Sequence, residues 1–346
     1  MKSWDVIIAG AGIIGVSLAL ELRQRGATVL VLDRAEPGSE ASSAAAGMLA
    51  AADPETPEAL RPLAMASAQM FPVFVQRLES AGNMQVDFRR VGTIACLEEA
   101  SVPPGYKNLS IDDLQSLEPS VRSSGHSVFF VQEDSVDPLL LTQAALAAAR
   151  NLGVEIRKQT TVTEMRSRDN TVEVVTQTDT FSCASAVDCR GAWSAGPVKP
   201  RKGQMLYALP QASVLQHVLR APEVYIVPRS SGKTLIGATV EDVGFDKSVN
   251  PTVIDQLVSA AAKYLPALAS APIIQSWAGL RPGTPDDLPI IGPTNTPHIF
   301  AATGHFRNGI LLAPITAQIM ADLIHGRPPS QDIRAFSPGR FRSTPK

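Results

Sequence analysis

Apolar and polar positions along the chain follow two periods, and their alternation predicts a mixed α/β protein. Val6-Ile7-Ile8-Ala9 is an unbroken apolar run, as a strand buried on both faces requires, and residues 13–25 then turn amphipathic in the manner of a helix. Residues 28–32 form a second apolar strand. Helical periodicity returns over 57–81, over 110–119 with Ser110 as cap and Asp113 completing a capping box, and from Asp137-Pro138 to 152. It appears again over 251–264 and 309–324, the last stopped by Gly326 and Pro328-Pro329. Extended patterns fill 85–97, 127–132, 154–156, 162–165, 171–176, 186–188, 204–209, 225–228, 234–239 and 273–279.

Between the first strand and the first helix stands Gly10-Ala11-Gly12-Ile13-Ile14-Gly15. The first glycine permits the tight turn, the second lets backbone approach a pyrophosphate, and the third allows helix and strand to pack closely. Glycine-rich turns also arise for packing alone, but here strand, helix and a later acid coincide. Asp33 ends the second strand, where its carboxylate can accept hydrogen bonds from both hydroxyls of an adenosine ribose. A dinucleotide site follows. Arg34 raises the alternative of a 2′-phosphate, yet the acid beside it repels one, which favours FAD or NAD; otherwise Arg34 is a solvated charge at a strand end. Residues 35–53 are rich in Ala, Ser, Gly and Glu, a loop composition that also places Ser42 and Ser43 where hydroxyls can meet a second phosphate or a ring edge.

At 346 residues and 45% hydrophobic content the chain can bury a large core and divide into two domains. Strand-rich blocks separate the nucleotide-binding elements, so the domains are expected to interleave. A formal net charge of −2 provides no global basic field, so neither nucleic acid nor an anionic membrane is expected as partner. The uncharged run 6–20 is shorter than a membrane span and lacks a following cleavage signal, which points to a cytoplasmic protein. Cys96, Cys183 and Cys189 have no ligand spacing and read as buried thiols, and the five histidines form no metal set.

Two arginines stand out. Arg281 lies in the small, apolar run Trp277-Ala-Gly-Leu-Arg281-Pro-Gly-Thr284, and Arg307 lies in Gly304-His-Phe-Arg307-Asn-Gly309 at a helix start. A guanidinium in such a setting needs an anion, either a substrate's or that of an internal salt bridge.

These segments, with Ser42-Ser-Ala-Ala-Ala-Gly47-Met48, Gly191-Ala-Trp-Ser194, Gly203-Gln-Met205 and Tyr225-Ile-Val-Pro228, resemble the D-amino-acid oxidase family of FAD-dependent oxidoreductases over nearly the whole chain, within it the glycine oxidase branch of thiamine (thiazole) biosynthesis. The resemblance implies a Rossmann-like FAD-binding domain of the glutathione-reductase type from 1–82, 136–198 and 277–346. A mainly antiparallel substrate domain would come from 83–135 and 199–276. It implies that Arg281 grips a substrate carboxylate, that Arg307, Tyr225 and Val240 line the same pocket, and that FAD meets Gly10, Gly12, Ile13, Ile14, Gly15, Asp33, Arg34, Ser42, Ser43, Ala46, Gly47, Met48, Val162, Gly191 and Trp193. His305, Phe306, Arg307, Asn308, Gly309, Ile310 and Leu311 would pass the flavin ring. Ala278 and Gly279 replace the cysteine through which some relatives attach flavin, so FAD should be non-covalent. Val240 and Glu223 replace bulkier or aromatic residues, leaving room for an amine somewhat larger than glycine.

The implied reaction is oxidative deamination of glycine, other small amino acids or N-methyl amines by hydride transfer from Cα to flavin N5, with oxygen reduced to hydrogen peroxide and no catalytic acid or base. A dehydrogenase passing electrons to a carrier or quinone stays open, as does a non-catalytic flavin-binding protein, although the paired arginines argue against the latter. The family also implies a homo-oligomer.

Overall fold

The computed structural model describes residues 3–97, 102 and 104–341. A largely parallel sheet forms around β1 (Ser3–Ala9), which pairs in parallel with β2 (Val29–Leu32) on one side and β12 (Thr180–Asp188) on the other. β9 (Glu155–Arg157) extends it beyond β2. On the far edge of β12 the antiparallel strands β10 (Val162–Arg168) and β11 (Thr171–Thr176) occupy its first half, and β19 (Ile299–Thr303) its second half in parallel, with β18 (Ile290–Pro293) outside. Val6 and Ile8 pack against helices α1 (Ile13–Gln24), α3 (Arg61–Gly82), α5 (Pro138–Asn151) and α7 (Gly309–Ile324), while Ile7 and Ala9 join a separate cluster on the other face. That two-sided burial explains the unbroken apolar run.

A second, mainly antiparallel sheet has the order β17 (Ile273–Gly283), β13 (Lys199–Ala208), β16 (Thr234–Gly237), β15 (Tyr225–Pro228), β14 (Val218–Arg220), β5 (Thr93–Leu97), β7 (Ser127–Val131) and β6 (Lys107–Asn108). Its alternation sets two faces. Leu206, Ile226 and Ile236 pack on α6 (Pro251–Tyr264), whereas Tyr207, Tyr225, Val227, Leu235 and Trp277 turn the other way, toward Ala46 and Met48. A small sheet of β3 (Met48–Leu49), β8 (Asp134–Val136) and β4 (Phe88–Arg89) lies between the two, with the one-turn helix α2 (Ala41–Ala44) just before β3.

The caps follow the sequence. Asp137 accepts from the N–H groups of Leu139 and Leu140 at 2.9 and 3.2 Å, and Ser110 and Asp113 form the reciprocal box at the start of α4 (Ile111–Leu117). Helices α6 and α7 span the residues their periodicity marks. Strand lengths depart more. β17 runs to Gly283 and thus carries the second sheet past position 276, and β14, β18 and β19 arise where no extended pattern is evident in sequence. No helix among the described residues is long and apolar enough to cross a membrane.

Candidate active site

The two sheets meet over a cavity of about 650 Å³. At one end lies the turn after β1, pinned by Gly10 N–H to Leu32 O at 2.7 Å and by Cys189 N–H to Ala9 O at 2.8 Å. Gly10 has a φ of +106°, and a Cβ there would come within 2.3 Å of Cys189 O; at Gly15 it would come within 2.0 Å of Gly10 O. Both positions therefore demand glycine. The ladder of α1 opens with Val16 N–H to Gly12 O, which leaves the amides of Gly12, Ile14 and Gly15 spare, while Ile13 gives its N–H to Ser42 Oγ at 2.9 Å. The carboxylate of Asp33 accepts from Ala11 N–H at 2.7 Å and Ala35 N–H at 2.8 Å, one on each oxygen. Burial raises its pKa, opposed by those two amides. Each oxygen keeps acceptor capacity for a further donor. A Cβ at Gly191 would meet nothing within 4 Å, so that turn also stands clear.

At the other end, strand parity assembles a polar patch. Met205 and Tyr225 both register with Gly237, whose missing side chain lets the Tyr225 hydroxyl come within 3.4 Å of Met205 Sδ. Two strands away, Arg281 folds its guanidinium back over Gly203 and donates from Nη1 to Thr239 O at 3.0 Å. Burial pushes the Tyr225 phenol up, with the neighbouring Arg281 acting in the opposite direction. Opposite this patch α7 begins, and His305, Phe306, Arg307, Asn308, Gly309 and Ile310 form the wall. His305 is held at about 3 by burial, and its Nε2 meets Thr316 Oγ1 at 3.1 Å.

Most residues singled out in sequence line this cavity: Gly10, Gly12, Ile13, Ile14, Asp33, Arg34, Ser42, Ala46, Gly47, Met48, Val162, Gly191, Trp193, Tyr225 and Arg281, with residues 305–310. Four do not. Gly15 packs inside the turn, Leu311 is in the core, and Ser43 turns to a neighbouring recess and donates to Glu40 O at 3.3 Å. Val240 is the clear correction. It is 57% exposed and outside the cavity, because Thr239 and Glu241 on either side are tied to Gln204 and Lys202 of β13, leaving the residue between them in solvent. Arg34 is also more than a solvated charge: it lies 4.0 Å over the Trp193 ring and 3.7 Å from Glu40.

The sequence assigned no site role to Met205, Glu55 or Arg229. Arg229, 4% exposed, donates to Ala46 O at 2.6 Å and Val136 O at 3.1 Å, which fastens the segment before β3 to the second sheet. A lone arginine after a strand carries no signal of that reach. The three cysteines are free and buried, with Cys96 and Cys183 pushed up to about 12 and Cys189 higher, so all stay protonated thiols.

A family model described as "FAD dependent oxidoreductase" (DAO) matches residues 5–323. The chain belongs to that family. The glycine-rich turn, the spare amides of α1 and the acceptor at Asp33 fit the pyrophosphate and ribose of FAD, and the fold is the mixed α/β, Rossmann-like one with an interleaved antiparallel substrate sheet found in this family. Among relatives, the glycine oxidase of Bacillus licheniformis is 33% identical over 98% of this chain and 98% of its own length. The bifunctional protein ThiO/ThiG of Trichormus variabilis is 36% identical over 98% of this chain but 55% of its own length, so the chain spans about half of that relative. The crystal structure of glycine oxidase from Geobacillus kaustophilus superposes with a TM-score of 0.94 at 29% identity, covering 99% of this chain and 100% of that one.

Proposed function

We propose that this chain is an oxidase of glycine and other small amino acids or N-methyl amines, with non-covalent FAD, producing an imine that water hydrolyses to the 2-oxo acid and ammonia or amine. One observation carries the reading. Four arginines line the cavity, and Arg34, Arg190 and Arg307 each have a carboxylate within ion-pair distance, namely Glu40, Asp188 and Glu55. Arg281 alone has none among the described residues; its partners are the Thr239 carbonyl and the Tyr225 hydroxyl. A half-buried guanidinium without a counter-ion is a receptor for a carboxylate, which its planar fork binds in two parallel hydrogen bonds.

The reaction needs little else from the chain. FAD, when bound, would supply the two-electron acceptor for the Cα hydride, with oxygen as the final oxidant giving peroxide. Arg281 anchors the carboxylate and thereby fixes which Cα substituent faces the wall of residues 305–310. Tyr225, kept protonated by burial, can donate to the same carboxylate. Burial keeps the His305 imidazole from gaining a proton; the amine reacts in its neutral form, its proton lost to water, and its lone pair forms the C=N bond as the hydride leaves. The likeness to glycine oxidases supports a small substrate. The test is anaerobic addition of glycine, sarcosine and D-alanine to the FAD-loaded protein. Loss of the oxidised flavin spectrum, restored by air with formation of peroxide, is expected; an unchanged spectrum with every amino acid refutes the reading.

A further inference from the structure

The pairing of arginines has a consequence for substrate charge, which rests on the carboxylate-binding reading above. Arg307 sits on the wall formed by the start of α7, and its Nη1 contacts Glu55 Oε2. Glu55 belongs to the connection between β3 and α3, whose position the second sheet dictates. Ala52 N–H donates to Glu133 Oε1 at 3.0 Å, the Ala52 carbonyl accepts from Tyr106 Oη at 3.2 Å, and Asp53 lies 3.4 Å from Arg220. Arg220 in turn donates to Glu133 Oε2 at 3.1 Å, and Glu133 and Arg220 are both buried. Asp53 then turns the chain, its Oδ1 accepting from Glu55 N–H at 2.9 Å and its carbonyl from Thr56 N–H at 3.0 Å. A buried ionic network thus fixes the loop that brings Glu55 to Arg307, while the pair itself meets at the solvent-exposed edge of the cavity.

We propose that Glu55 determines substrate charge. By neutralising Arg307 it leaves Arg281 as the single unpaired cation of the cavity among the described residues, so the site accepts amines with one carboxylate and rejects those with two. A second carboxylate in the cavity meets an arginine already occupied, and Glu55 and Asp287 on the same lining repel it. Removing the charge of Glu55 frees the Arg307 fork for a second carboxylate.

The experiment measures anion binding to the FAD-loaded protein by calorimetry and by perturbation of the visible flavin spectrum, with acetate as the monocarboxylate and malonate and succinate as dicarboxylates. In Glu55→Gln the preference for the better-fitting dicarboxylate over acetate should rise about tenfold relative to the unaltered protein, and the gain should shrink as salt screens it. It should vanish in Glu55→Gln/Arg307→Gln. An unchanged preference in Glu55→Gln, or a gain that survives in the double variant, overturns the proposal. Turnover plays no part in this readout, so failure of the oxidase reading, judged by flavin reduction in the unaltered protein, is distinguished from failure of the charge rule.

Discussion

Gly203→Ala separates the proposed carboxylate-binding role of Arg281 from the fold around it. Gly203 lies in β13 opposite Gly279 of β17, and the Arg281 guanidinium occupies the space above it. A Cβ at 203 would stand 2.2 Å from Arg281 Nη1, 2.4 Å from Nη2 and 2.5 Å from Cζ. Contacts that short are impossible, so the guanidinium must leave. It is the far end of a flexible side chain, and its departure forfeits two hydrogen bonds, to Thr239 O and to the Tyr225 hydroxyl, costing about 1–3 kcal/mol together. Gly203 has no left-handed backbone, so alanine returns roughly 0.4–1 kcal/mol by restricting the unfolded chain. Stability should therefore fall by no more than about 2.5 kcal/mol, which leaves the chain folded. Displacing the fork removes a charge-assisted pairing of about 1.5–3 kcal/mol, which predicts a roughly 10- to 150-fold loss in kcat/KM for glycine. Urea unfolding, FAD content and initial rates on the same preparation measure all three. A folded, FAD-loaded Gly203→Ala protein with unaltered kcat/KM would refute the assignment of Arg281.

Two further outcomes are expected. Asp33→Ala should weaken FAD binding by about tenfold or more, since the lost carboxylate also leaves the amides of Ala11 and Ala35 without their acceptor, while turnover recovers in excess FAD; titration of the apoprotein by flavin fluorescence reads this, and unchanged affinity counts against the ribose role. His305 is depressed to about 3 in the folded chain against about 6.5 when unfolded, so the unfolded state binds the proton first and stability falls as pH drops below about 6.5. The contribution lost by pH 5 is about 2 kcal/mol, and His305→Gln, which cannot titrate, should lack it; parallel pH dependences in urea unfolding contradict the neutral, buried imidazole.

Arg281 was legible because a single charge interrupts a small, apolar run, and in the structure its guanidinium meets no carboxylate among the described residues. Arg307 has the same local signature but took the internal partner instead. That partner, Glu55, lies 252 positions away in a polar loop with no pattern of its own, so no local reading could pair them. Helices α6 and α7 were legible because an amphipathic or apolar stretch with a cap and a stop is a local signal. β18 and β19 were not, since Ile290-Ile-Gly-Pro carries turn residues and Ile299–Thr303 becomes a strand by pairing in parallel with β12, more than a hundred residues earlier. Yet β19 is the strand that delivers residues 305–310 to the cavity. Val240 shows the converse: its placement came from resemblance at one position, and the hydrogen bonds on either side decide otherwise.

Arg281 is proposed to hold a substrate carboxylate while the Cα–H bond is broken. Rapid mixing of glycine with FAD-loaded Arg281→Ala and with the unaltered protein, followed by flavin absorption without oxygen, tests it most directly. The variant should retain FAD and lose about thirty- to several-thousand-fold in the second-order rate of flavin reduction, with Arg281→Lys recovering part, because an ammonium lacks the planar fork. Equal reduction rates in Arg281→Ala and the unaltered protein would contradict the account and make Arg281 a purely structural cation.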